Sequence, residues 1–112
     1  MFDETYSTQM TFKLTKDTPF HGPTQGYVDL HRFTLIDDYP DLQGQRVIVY
    51  ATLDTVARSG KDLHVKISIA SFILGKDYES TADFKISAKD NVNVTVEGPE
   101  VAIQILYSQY EN

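Results

Sequence analysis

The stretch Arg46-Val47-Ile48-Val49-Tyr50-Ala51-Thr52-Leu53 runs into the connection Arg58-Ser59-Gly60-Lys61-Asp62 and returns as Leu63-His64-Val65-Lys66-Ile67-Ser68-Ile69. Side chains of a strand alternate between its two faces, so Val47, Val49, Ala51 and Leu53 share one face and Ile48, Tyr50 and Thr52 the other. The polar, glycine-containing connection turns the chain back. On the return, Leu63, Val65, Ile67 and Ile69 are expected on one face, which makes Arg46 to Leu74 one long hairpin. Its far end, Ile69-Ala70-Ser71-Phe72-Ile73-Leu74-Gly75, loses the polar face, the mark of burial on both sides or of a crossing between sheets.

The same alternation spreads outward. Met10, Phe12 and Leu14 fall on one face of a short strand. From Tyr27 to Leu35 the apolar set starts as Val28 and Leu30 and shifts to Phe33 and Leu35, so a bulge is expected near His31-Arg32. Three shorter strands follow the hairpin: Ala82 to Ala88, Val92 to Val96 and Val101 to Tyr107. The connections Lys89-Asp90-Asn91 and Glu97-Gly98-Pro99-Glu100 are rich in turn formers, so these three read as a meander. Helical periodicity is absent, leaving at most one turn in Ile36 to Gln45 or Asp77 to Thr81. About seven strands at this spacing predict an all-β chain, an antiparallel two-sheet β-sandwich, with a small Greek-key barrel of the oligonucleotide-binding type as the alternative.

Size and composition narrow the function classes. The 112 residues are expected to form a single domain, 1–112, with one hydrophobic core. With no cysteine there is no disulfide framework, no Cys-ligated metal and no thiol nucleophile. The start Met1-Phe2-Asp3-Glu4 is acidic, opposite to the basic opening of a secretory signal, and no apolar run reaches membrane-spanning length. A cytoplasmic location, or assembly into a virion, is the expectation. The formal charge of −6 repels nucleic acid at long range, so such a partner requires a local basic surface.

Candidate chemistry is sparse. Asp37, Asp38 and Asp41 present the oxygens that calcium takes, but not at the spacing of a calcium loop, and the reading favours a solvated acidic turn. His21, His31 and His64 lie on a loop and two strands with no metal-ligand spacing. No G-x-S-x-G elbow or phosphate-binding glycine loop occurs, so neither catalytic residues nor a cofactor nor a metal is assigned and an enzyme is not expected.

Aromatic residues are the more informative set. Phe12, Phe33 and Phe84 share faces with aliphatic residues and are assigned to the core. Tyr27, Tyr39, Tyr107, Tyr110 and Phe20 lie on loops, strand ends or mixed faces and are candidate protein-interface residues, since tyrosine offers a rigid apolar body with a polar tip. The tail Leu106 to Asn112 is expected to continue the last strand and to add to a partner's sheet. A second constellation, Arg46, Tyr50, Arg58, Lys61, His64 and Lys66, makes the polar face of the hairpin basic and is the candidate surface for single-stranded nucleic acid. The first-ranked expectation is a non-enzymatic protein-interaction or assembly component that binds a protein partner or itself, for example a structural or accessory part of a virus or mobile element. A single-strand binder on a barrel comes second, and a small enzyme whose site forms only in the fold third.

Overall fold

Alternation becomes eight strands in the computed structural model, which describes residues 7–110. They are β1 (Ser7–Leu14), β2 (Phe20–His21), β3 (Tyr27–Leu35), β4 (Arg46–Val56), β5 (Asp62–Ile73), β6 (Glu79–Ser87), β7 (Val92–Glu97) and β8 (Ile103–Tyr110). A 3₁₀ turn, Pro40–Leu42, lies between β3 and β4. Two four-stranded antiparallel sheets result, ordered β1-β8-β3-β6 and β2-β7-β4-β5. The chain is a two-sheet β-sandwich and does not close into a barrel. The extra strand, β2, arises inside the Thr15 to Gly26 connection by pairing with β7.

The core fills from both inner faces. Leu14, Leu30, Phe33, Ile103 and Ile105 come from the first sheet and Val47, Val49, Phe72 and Val94 from the second, all fully buried. Phe12 and Phe84 are half-buried and pack against this core. Edge-to-face aromatic contacts tie the sheets at one side: Phe20 sits 5.1 Å from Phe12 and 5.0 Å from Tyr107, the offset geometry that ring quadrupoles favour.

Two register slips shape the strands. At β3 the pairing jumps from Leu30 to Arg32, so His31 is the extra residue and the apolar set moves from even to odd positions. The bulge turns His31 onto the outer face, where its Nε2 lies 2.8 Å from the hydroxyl of Ser108, a buried polar residue. The second slip lies between Val49 and Tyr50 of β4, which pair with Ala70 and Ser68, leaving Ile69 as the extra residue. This corrects the single face assigned to Leu63, Val65, Ile67 and Ile69. Inward-facing positions on β5 are 63, 65 and 67 before the slip and 70 and 72 after it, and the buried Leu74 follows just past its end.

The three strands after the hairpin are not a meander. β6 joins β3 in the first sheet, β7 joins β4 in the second, and β8 returns to the first between β1 and β3. Short turns between consecutive strands therefore cross the sandwich. The last crossing is tight: Gly98 adopts φ 122°, and a Cβ there would lie 2.6 Å from the carbonyl oxygen of Arg46. Only glycine meets both the left-handed φ and this close approach.

Phe72 is, with Phe33, among the largest fully buried side chains of the core. Phe72→Ala is expected to lower unfolding free energy by about 3–5 kcal/mol, read from urea denaturation with an unchanged m-value.

Candidate functional site

β4 and β5 are longer than the strands around them. The pairing of β4 with β7 stops at Leu53 and Val92, whereas that with β5 continues to Val56 and Asp62. The last three residues of β4 thus project by roughly 10 Å as a two-stranded ribbon with no third strand. A five-residue connection closes it: the Ala57 N–H donates to the Lys61 carbonyl, the Gly60 N–H donates to the Ala57 carbonyl, and Gly60 takes φ 86°. On the inner face of this arm and its root, Leu63 is 39% and Ile67 44% exposed, with Leu53 and Val65 half-buried; Val56, at 63%, lies on the other face. Two-stranded ribbons are marginal alone, and apolar side chains without an opposing sheet are unusual on such an element.

The cations of the hairpin do not converge. Lys66 reaches across the Tyr50 ring, 4.3 Å from its centroid, to pair with Glu97. The hydrogen bond to Glu97 raises the pKa of the Lys66 ammonium above its ordinary value; partial burial opposes it, and the nearby charges of Glu97 and Tyr50 add smaller upward effects. His64 pairs with Asp54. Arg46 opens β4, while Arg58 and Lys61 lie beyond its other end, roughly 36 Å away along eleven extended residues. The six candidates for nucleic-acid binding are therefore split: Tyr50, His64 and Lys66 form mixed-charge pairs on the outer face, and only Arg58 and Lys61 share one place, the tip of the arm.

The two ends of the sandwich differ in charge. At the end opposite the arm, connections 15–19, 36–45, 74–78 and 98–102 carry Asp17, Asp37, Asp38, Asp41, Asp77 and Glu100 against Lys16 and Lys76, a formal −4. At the arm end, connections 22–26, 57–61 and 88–91 carry Arg58, Lys61 and Lys89 against Asp90, a formal +2. The acidic end holds a cleft of about 280 Å³ lined by Thr15, Lys16, Asp17, Tyr39, Glu100 and Val101. Among the described residues no three His, Asp or Glu side chains converge as metal ligands, and Asp37, Asp38 and Asp41 are exposed.

Tyr39 builds one wall of that cleft. It adopts a left-handed φ of 49°, and its hydroxyl accepts a 2.7 Å hydrogen bond from the Ala102 N–H, pinning the 36–45 connection to the one that leads into β8. Of the other interface candidates, Tyr107 and Phe20 are corrected to core residues, 8% and 4% exposed and in contact with each other. Tyr27 and Tyr110 stay half-buried on the outer face, stacked at 4.6 Å with Lys85 over the Tyr27 ring. The tail offers no free edge as far as Tyr110, because β8 is paired on both sides; Glu111 and Asn112 lie outside the described residues, as does Tyr6. Sequence reading missed the exposed set Val56, Leu63 and Ile67, since alternation marks an apolar face without showing where the opposing sheet ends.

Two tyrosine substitutions separate these roles. Tyr39→Phe leaves the Ala102 N–H without its acceptor and is expected to cost about 1 kcal/mol in chemical denaturation. Burial pushes the Tyr107 phenol above its ordinary 10.0. The folded chain then holds the proton more tightly than the unfolded one, so this stabilisation is complete below the unfolded value and is lost as pH rises through the folded one. Tyr107→Phe is expected to change stability by less than about 1.5 kcal/mol at neutral pH. It should also flatten the alkaline loss relative to wild type, read as urea midpoints across the alkaline range.

A solved structure of the same fold is the Drosophila NLP core, described for its pentamer formation and histone binding. It superimposes with a TM-score of 0.71 at 11% identity, over 96% of this chain and 99% of that one. No family model and no curated protein matches the sequence. At this identity the likeness is one of fold.

Proposed function

We propose that this chain is a non-enzymatic assembly module that associates with copies of itself and thereby presents a protein-binding surface. The observation that carries this reading is the β4–β5 hairpin, which projects beyond β7 and leaves Leu63 on its arm and Ile67 at its root exposed. Full burial of an aliphatic side chain of this size contributes about 1.5–3 kcal/mol, and Leu63 and Ile67 are 39% and 44% exposed, so each adds about 1 kcal/mol to association. That a domain of the same fold forms pentamers and binds histones supports assembly and protein binding as the use of this scaffold. Its acidic end, at −4, suits a partner with basic side chains.

The single-strand nucleic-acid reading loses its two supports. The sheets do not close into the barrel on which it relied, and half of the proposed contacts are spent within the outer face. Light scattering coupled to size exclusion tests the assembly reading. The wild-type mass is expected at a multiple of 12.7 kDa. Leu63→Asp with Ile67→Asp is expected to weaken association at least about tenfold while the far-ultraviolet dichroism stays that of a β-protein. A wild-type chain that remains monomeric from micromolar to millimolar concentration overturns the proposal.

A further inference from the structure

A surface that receives the arm has to offer apolar side chains and charge that match those of the arm. Among the described residues the large exposed apolar side chains are Met10, Ile36, Val56, Leu63, Ile67 and Tyr78. Val56, Leu63 and Ile67 belong to the arm or its root. Ile36 and Tyr78 lie at the opposite end, in the connections that carry the acidic excess. Each end therefore combines exposed apolar surface with charge: an acidic excess in the connections at one end, and at the other Arg58 and Lys61 at the tip of an arm that Asp54 and Asp62 leave without net charge.

The charges at both ends are unspent. Among the described residues, neither Arg58 nor Lys61 forms an ion pair within the chain, and the same holds for Asp17, Asp37, Asp38 and Glu100. We propose, on the basis of the assembly reading, that the arm of one copy docks at the acidic cleft of a second copy, giving a head-to-tail contact. Arg58 and Lys61 meet the carboxylates of Asp17, Asp38 and Glu100, and the apolar side chains of the arm cover Ile36 and Tyr78. Guanidinium and carboxylate groups form charge-assisted hydrogen bonds that fix geometry as well as attraction, which the small apolar area alone would not.

Charge-swapped proteins test the contact. One carries Arg58→Glu with Lys61→Glu, so that both its ends are acidic; the other carries Asp17→Lys with Asp38→Lys, so that both its ends are basic or neutralised. All four residues are exposed, and melting temperature and circular dichroism report that each protein folds. Each swapped protein alone is expected to associate at least about tenfold more weakly than wild type at low salt, and an equimolar mixture to associate at least about tenfold more tightly than either swapped protein alone. Rising salt should weaken the wild-type assembly, because exposed pairs are screened.

Swapped proteins that assemble like wild type overturn the arm-to-cleft contact and leave the assembly reading standing. So does a mixture that stays at the separate masses. A wild-type chain that is monomeric throughout overturns both. A monomeric chain whose arm binds a short single-stranded oligonucleotide in an anisotropy titration, with binding lost on Arg58→Glu and Lys61→Glu, assigns the arm to nucleic acid instead.

Discussion

The one-residue slip at Ile69 is the constraint on which the rest of the sandwich depends. β4 alternates without interruption, sending Val47, Val49, Ala51 and Leu53 inward. Its partner carries apolar residues at odd positions up to Ile67 and at even positions from Ala70. A strand pairing in perfect register would have to turn one of those two sets to solvent, because a shift of one residue exchanges the faces. Leaving Ile69 unpaired keeps Ile67 opposite Ala51 and Phe72 opposite Val47, both on the core side. A bulge also bends the strand and strengthens its twist. The proximal half of the hairpin thus forms core, and the last three residues of β4 with their β5 partners run out beyond β7, carrying the exposed Leu63 on an inward-type face.

Much of this was legible in the residues. The hairpin, its Gly60 turn and the slip near His31 all follow from local alternation and turn chemistry, which depend only on neighbours in sequence. Partition between sheets does not. Turns such as 88–91 and 98–102 have the composition of hairpin loops, and nothing in Asn91 or Gly98 tells whether the next strand pairs with the previous one or crosses to the opposite sheet. The same limit explains the candidates that changed role. Tyr107 has the polar tip of an interface residue, but its strand lies between β1 and β3 and its ring meets Phe20, so burial follows from strand order. The short β2 that supplies Phe20 exists only because β7 offers it an edge.

Charge shows how far totals and places diverge. Read along the sequence, Arg46, Arg58, Lys61, His64 and Lys66 make the hairpin basic. Folded, the antiparallel register places Asp54 beside His64, and the length of a lysine side chain lets Lys66 span Tyr50 to Glu97 on the third strand. Such exposed pairs contribute little to stability, but they cancel the field a phosphate backbone would sense. What survives is a difference between ends: acidic connections at the start of β4 and a small basic excess beyond its finish.

That difference bears on symmetry. A two-fold contact joins a surface to its own copy, so a two-fold contact made through either end would set Arg58 and Lys61 against their equivalents, or Asp37, Asp38 and Asp41 against theirs. Both arrangements place like charges together across a narrow gap, where repulsion adds to the self-repulsion of a chain already at −6. Joining unlike ends removes the conflict and satisfies both signs at once. Contacts of this kind are heterologous, and every added copy leaves one arm and one cleft unfilled until the chain of copies meets itself. Under the proposed contact, the rotation between neighbours decides whether the copies close into a ring or continue as an open array.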